Sequence, residues 1–239
     1  MSSGVWVRDI ASVATIGTGF FPTYLSQSSD RQLYIQAFTD GRVVRFDPNT
    51  STVETLSIGA KRRIAATARS LWCVNAISGI DSRDRTTWLH GSSFGTTLVA
   101  FGLQEIDDRW ALALGATAGK LWLLDSTLPT ATTLLYAGSQ IFDVNLVSGS
   151  RILVADLGAN SVYELLATTT PSATDPLGLP MSLGRSVAVT QPLSVAELTS
   201  GDWLVGGSKG LYVYSHTTGL LKSKISSDSF RTIEYFEGR

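Results

Sequence analysis

What most constrains this chain is a short pattern that recurs along it. Six segments superpose, each a turn residue followed by a strand-like run: Ser3–Asp9, Gly41–Asp47, Asp84–His90, Gly119–Asp125, Ala159–Leu165 and Lys209–Ser215. They share a shape more than an identity, as Gly41-Arg-Val-Val-Arg-Phe-Asp47 and Gly119-Lys-Leu-Trp-Leu-Leu-Asp125 illustrate. Their ends fall at residues 9, 47, 90, 125, 165 and 215, so the repeating unit is about forty residues long. The runs are rich in β-branched and aromatic residues and are bounded by Gly, Asp, Asn or Ser, which reads as strand and turn. The best helical spacing, over Ile64–Leu71, follows no clear N-cap and leads into an aromatic strand. The expectation is an all-β chain.

The flanks of each segment extend the pattern. Leu33–Phe38, Leu71–Ala76, Trp110–Leu114, Ile152–Asp156 and Trp203–Gly206 lie upstream and pair with it as hairpins. Thr52–Leu56, Thr96–Ala100, Thr132–Tyr136 and Leu220–Lys224 lie downstream and are polar enough for exposed outer strands, while Phe142–Leu146, Leu193–Glu197 and Phe230–Glu234 take the inner position. Four strands from inner to outer make a blade, so residues 1–239 read as a single β-propeller of six four-stranded blades. Phe230–Phe236 is an inner strand without its blade, and Val5–Asp9 and Val13–Gly17 are later strands without an inner one. Pairing the two termini in one shared blade closes the ring and removes its open edges. Five blades with an irregular extra hairpin is the alternative. Residues 168–192, which hold Pro171, Pro176, Pro180 and Pro192, are expected to be a loop insertion and a contact element.

Charge narrows the functional classes. Charged residues are 16% of the chain and the formal net charge is -1, so there is no field to attract a polyanion and nucleic-acid binding is not expected. No apolar run is long enough to span a bilayer as a helix, and no secretory leader is recognised, so the expected address is intracellular, cytoplasmic. The lone Cys73 fits a reducing compartment and reads as a small buried hydrophobe. Trp6, Trp88 and Trp122 fall at strand positions and are expected to pack blade against blade.

The stretch Arg151-Ile-Leu-Val-Ala-Asp-Leu-Gly-Ala-Asn-Ser-Val-Tyr-Glu-Leu165 resembles the NHL-type repeat, and Gly41-Arg-Val-Val-Arg-Phe-Asp-Pro-Asn-Thr50 is similar to the matching strand and turn of gluconolactonase-like propellers. That resemblance implies a six-bladed ring. In its lactonase branch it implies a divalent metal such as calcium, held by Glu, Asn and Asp oxygens at one mouth of the channel. The residues placed for that role are Asp143, Asn145, Glu197 and Glu234, although the early Glu-Gly-Pro and the Pro-Asn-Asp/Gly signatures of that branch are missing.

Other motif matches fail on context. Gly91-Ser-Ser-Phe-Gly95 beside His90 fits the Gly-x-Ser-x-Gly pattern, but a nucleophile elbow needs a strand-turn-helix, so it reads as a turn between antiparallel strands. Gly115-Ala-Thr-Ala-Gly-Lys120 is one residue short of a P-loop and lacks the following Ser or Thr, and reads as a hairpin turn. The charged clusters Lys61–Arg63, Asp81–Arg85 and Gln104–Arg109 are either solvated loops or a recognition patch on one face. No catalytic constellation or resident cofactor is expected. The leading reading is a non-catalytic scaffold that binds a protein partner, or joins an assembly, through loops on one face. A metal-dependent lactonase, hydrolase or lyase is the competing reading, and a small-ligand or carbohydrate-binding propeller the third.

Overall fold

The computed structural model describes residues 22–230 apart from residues 29, 38–40, 58–62, 76–78, 95–99, 116–118, 129, 131 and 148–149. These residues form five four-stranded antiparallel sheets, each a meander in chain order. Sheet 1 holds β1 (Pro22–Gln27), β2 (Leu33–Ala37), β3 (Arg42–Asp47) and β4 (Thr52–Ser57). Sheet 2 holds β5 (Ile64–Ala66), β6 (Ser70–Asn75), β7 (Gly79–Asp84) and β8 (His90–Phe94). In sheet 3 are β9 (Ala100–Glu105), β10 (Trp110–Gly115), β11 (Lys120–Asp125) and β12 (Thr132–Ala137). In sheet 4 are β13 (Ile141–Val147), β14 (Arg151–Asp156), β15 (Ser161–Ala167) and β16 (Met181–Ala188). Sheet 5 is β17 (Pro192–Glu197), β18 (Trp203–Gly207), β19 (Gly210–Tyr214) and β20 (Leu221–Ser226).

The first strands β1, β5, β9, β13 and β17 touch one another in succession, so they are the inner strands of an all-β propeller. The core is divided accordingly into four clusters, one per seam between adjacent sheets. Strand alternation creates them. On β10, Trp110, Leu112 and Leu114 pack toward sheet 4, while Ala111 and Ala113 pack toward sheet 2. On β14, Ile152 and Val154 face sheet 3, and Leu153 and Ala155 face sheet 5. A strand buried on both faces reads as a continuous apolar run, which is why this chain carries so little charge.

Some expectations shift register. The repeated segment Asp84–His90 is not a strand: the third strand of sheet 2 is β7, which ends where that segment begins. Asp84 closes a turn by accepting hydrogen bonds from the Thr86 and Thr87 amides at 2.9 and 2.7 Å, and Trp88 follows with φ of 61°. Trp88 therefore belongs to the turn, not to a strand. It still packs between blades, edge-on to Tyr34 and under Arg45 of sheet 1. Consequently the outer strand of sheet 2 is His90–Phe94, and Gly91–Phe94 of the Gly-x-Ser-x-Gly match lie along that strand instead of forming a turn; of the expected outer strand Thr96–Ala100, Ala100 begins β9 and residues 96–99 lie outside the described residues. Of residues 168–192, Met181–Ala188 form the outer strand of sheet 4, which leaves residues 168–180 as the loop. That loop is folded onto the ring, since Leu177 is fully buried in the seam between sheets 3 and 4. The strands expected at Val5–Asp9, Val13–Gly17 and residues 231–236 lie outside the described residues, as do Trp6 and Glu234.

Candidate protein-interaction face

In a four-stranded meander the first and third turns emerge at one end of the blade, and the second turn and the link to the next blade at the other. Of the described residues, the first end carries 28, 30–32, 67–69, 106–109, 150 and 198–202, together with 48–51, 85–89, 126–128, 130, 168–180 and 215–220. Its construction is repetitive. Third strands end in Asp47, Asp84 and Asp125, whose carboxylates accept the Asn49, Thr86 and Thr127 amides at 2.8, 2.9 and 2.9 Å. In sheet 5 the Ser215 hydroxyl accepts from the Thr218 amide in the same role. Such side-chain-closed turns are what Asp and Ser do best in a chain that must reverse.

Several charged side chains on this end bridge the seams. Arg85, only 4% exposed, lies between sheets 1 and 2. It donates to the Tyr34 hydroxyl at 2.6 Å, to both Asp30 oxygens at 2.9 and 2.7 Å, to Gln32 at 3.0 Å, and to the Thr67 and Ala68 carbonyls. Burial alone would raise the Asp30 pKa, but hydrogen bonds from Arg85 and Ser28 and the Arg85 charge hold it below the usual carboxylate range. Between sheets 2 and 3, Asp108 accepts from the Thr67 hydroxyl and from the Arg69 and Ser70 amides. Between sheets 3 and 4, Arg109 forks onto Asp125 at 2.8 and 2.6 Å and reaches the Ala173 carbonyl at 3.5 Å. Between sheets 4 and 5, Arg151 donates to Glu164 at 3.2 Å, to His216 Nε2 at 2.9 Å and to Glu197.

Asp125 carries a pH dependence that can be measured. The Arg109 hydrogen bond, aided by Thr127 and opposed by burial, lowers its pKa from 3.8 to about 2. A carboxylate depressed in this way stabilises the fold above its unfolded pKa and stops doing so as pH falls through the folded one. Melting temperature should therefore drop between about pH 4 and pH 2, and Asp125→Asn should flatten that limb while lowering stability at neutral pH. Thermal melts of the two proteins across this range check it.

The residues placed for a metal are distributed differently. Asp143, on inner strand β13, accepts the Val195 amide at 3.1 Å and faces Arg63 at 3.6 Å; burial pushes its pKa up. It works as a bolt between sheets 4 and 5. Equivalent inner-strand bolts are Ser26 to the Ala66 amide at 3.0 Å and Gln104 to the Leu146 amide at 3.0 Å. Glu197 is engaged by Arg151, with burial raising its pKa. Asn145 lies two residues beyond Asp143 on β13. Among the described residues, no three His, Cys, Asp or Glu side chains gather as a metal would require.

Ser93, His90 and Asp81 do meet. Ser93 Oγ lies 2.6 Å from Asp81 and 2.9 Å from His90 Nε2, but the same Nε2 also faces Asp81 at 3.4 Å. A hydrolytic relay needs the acid on Nδ1 and the serine on Nε2. All three groups instead crowd one point, so no proton path from serine through imidazole to acid exists. Gly119, from the near-P-loop, serves close packing: at φ of 53°, a Cβ there would sit 2.7 Å from the Ser139 carbonyl carbon.

Among the side chains that this end exposes are three leucines. Leu89, Leu128 and Leu220 are 68%, 55% and 69% exposed, and each sits in the third turn of its sheet. Sequence reasoning passed over them. Their signal was positional, a leucine a few residues after the Asp or Ser that closes a third strand, and it is hidden until strand ends are known.

No protein-family model matches the chain, and no curated protein matches it. Solved structures do. The β-propeller domain of Cps50 (Swd1) from Myceliophteria thermophila superposes with a TM-score of 0.66 at 12% identity, covering 87% of this chain and 74% of that one. The N-terminal domain of Nup159 gives 0.57 at 14% identity, over 84% of this chain and 60% of that one. Hsv2 from Kluyveromyces lactis gives 0.59 at 8%, over 84% and 62%. At such identities the likeness establishes fold, and the chain is a β-propeller. It spans less than two thirds of the latter two chains. The finer likeness to NHL-type repeats rests on the residues quoted above alone. Among the described residues, no helix is long and apolar enough to cross a membrane.

Proposed function

We propose that this propeller is a non-catalytic scaffold that binds a protein partner through the end carrying its first and third turns. The observation that supports this reading is the recurrence of an exposed leucine at the same turn in sheets 2, 3 and 5, on an end where Arg85, Asp108 and Arg151 are taken up by the seams. Scattered exposed leucines are ordinary on any surface, but a periodic set on one end of a rigid ring offers several apolar contacts to one partner. An intracellular address fits the buried Cys73, whose thiol pKa burial raises to about 12, leaving it inert to oxidation.

The experiment is capture from the native source with the wild-type protein and with Leu89→Ser/Leu128→Ser/Leu220→Ser as bait. The triple variant should lose a stoichiometric partner while its stability changes by less than about 0.5 kcal/mol per site, as exposed positions do. A control, Leu183→Ser/Ile225→Ser on the outer strands, should keep the partner. Equal capture by all three proteins would remove the reading.

A further inference from the structure

His216 lies in the turn that carries Leu220, and its side chain is wired into the seam between sheets 4 and 5. The turn is closed on itself, by the Ser215 amide on the Leu220 carbonyl at 2.9 Å and the Gly219 amide on the Ser215 carbonyl at 2.8 Å. A displacement of His216 is therefore passed to Leu220. The imidazole packs beside Trp203, with ring centroids 6.3 Å apart, and the side chain remains 42% exposed, so water and protons reach it.

Arg151 fixes the state of that ring. A guanidinium has donors only and stays charged, so its 2.9 Å contact with Nε2 requires a lone pair on that nitrogen. The ring is then neutral, with its proton on Nδ1. A second proton would land on Nε2 and set donor against donor, and charge against charge, at the same 2.9 Å. An acceptor for the charged ring, Glu164 Oε1, stands 3.6 Å away but already takes Arg151 at 3.2 Å.

The surroundings give an added charge no counterpart. From sheet 4 come Arg151 on β14, Glu164 on β15 and Arg185 on β16, whose Cδ would lie 3.5 Å from a Cβ at Gly219. From sheet 5 come Glu197 on β17, held by Arg151, and Asp202, which accepts the His216 amide and the Lys222 ammonium. Among these groups three carboxylates balance three cations while His216 is neutral. Imidazole is the side chain that changes charge between about pH 5 and pH 8, and its protonation at a packed contact can flip an interface.

We propose that His216 is a pH-operated release for the partner face. With the ring neutral, Arg151 ties the sheet 5 turn to sheet 4 and holds Leu220 in its contact position; with the ring charged, the tie breaks, the turn swings off the seam and the partner is released. The inference rests on the reading of Leu220 given above and names its regulation.

Two variants separate the ring from its neighbours. His216→Gln keeps an acceptor for Arg151 and cannot titrate, whereas His216→Lys carries the charge throughout. Amide resonances of residues 215–220 are followed by NMR from about pH 7.5 to about pH 5.5, either side of the imidazole range. In the wild type they should move together with the His216 ring, the Lys variant should show the acidic positions already at the upper pH, and the Gln variant should not move. Movement in the Gln variant would assign the transition to Glu197, whose pKa burial raises, and would overturn the proposal, as would a wild-type turn that stays in place. With protein captured from the native source as the bound probe, washing at the lower pH should strip at least about fivefold more from the wild type than from the Gln variant, the lower end of ordinary coupling between sites. Equal retention while the turn moves would overturn the release. Absence of any captured protein at the upper pH would instead count against the reading of the face, and the resonances would still decide the switch.

Discussion

Replacing Arg85 by Met should lower the unfolding free energy by about 3 kcal/mol, near the lower end of the 3–5 kcal/mol seen when one member of a buried charge pair is removed. The guanidinium joins sheet 1 to sheet 2 through bonds to Asp30, Gln32, Tyr34 and two carbonyls. Removing it leaves the Tyr34 hydroxyl and the Thr67 and Ala68 carbonyls without this donor inside the seam. Asp30, whose side chain is 51% exposed, can recover water, which is why the effect stays below the upper end. Arg85→Lys should rescue little, because a single ammonium cannot reach carboxylate, phenol and carbonyls from one planar fork. Urea unfolding reads the difference. A loss below about 1 kcal/mol, the worth of one ordinary hydrogen bond, would show that the seam stands without its arginine.

The second large effect is expected from Trp72→Ala, at about 3–5 kcal/mol. Trp72 is fully buried on β6, stacked on Phe94 at 5.8 Å in the cluster joining sheets 2 and 3. Because strands hold that cavity open on both sides, little collapse is available to refill it. In a domain of this size each kcal/mol moves the melting temperature by roughly 2–4 °C, so the variant should melt about 10 °C lower. Trp72→Phe keeps the contact with Phe94 and should lose less than half as much. Equal losses for Ala and Phe would mean that indole volume is not what this seam requires.

These two residues show what was legible beforehand. The strand runs were plain because a strand buried on both faces is written as uninterrupted Leu, Val, Ala and Trp, and β10, β14 and β18 lie where the pattern puts them. Sheet 2 slipped because Trp88, an aromatic after two threonines, looks like strand, yet occupies a left-handed turn position fixed by Asp84. Loop residues 168–192 were half misjudged for a similar reason: prolines mark the turn, but the polar run Met181–Ala188 pairs with β15 along its length. Long-range partners were out of reach. Nothing local in Asp81–Arg85 says that Arg85 meets Asp30, or that Asp143 meets Val195, since those meetings depend on how sheets stack.

The bolts between inner strands also bear on how the ring assembles. They join residues 40, 42 and 52 positions apart, each linking one sheet to the next in chain order. The entropy of closing such loops rises only slowly with length, so each seam carries a similar kinetic cost. A chain leaving the ribosome can finish one sheet, dock it on its predecessor and continue, with no sheet among these five waiting for a distant partner. In that order no finished sheet among these five needs a partner that has yet to be synthesised beyond the next one along the chain.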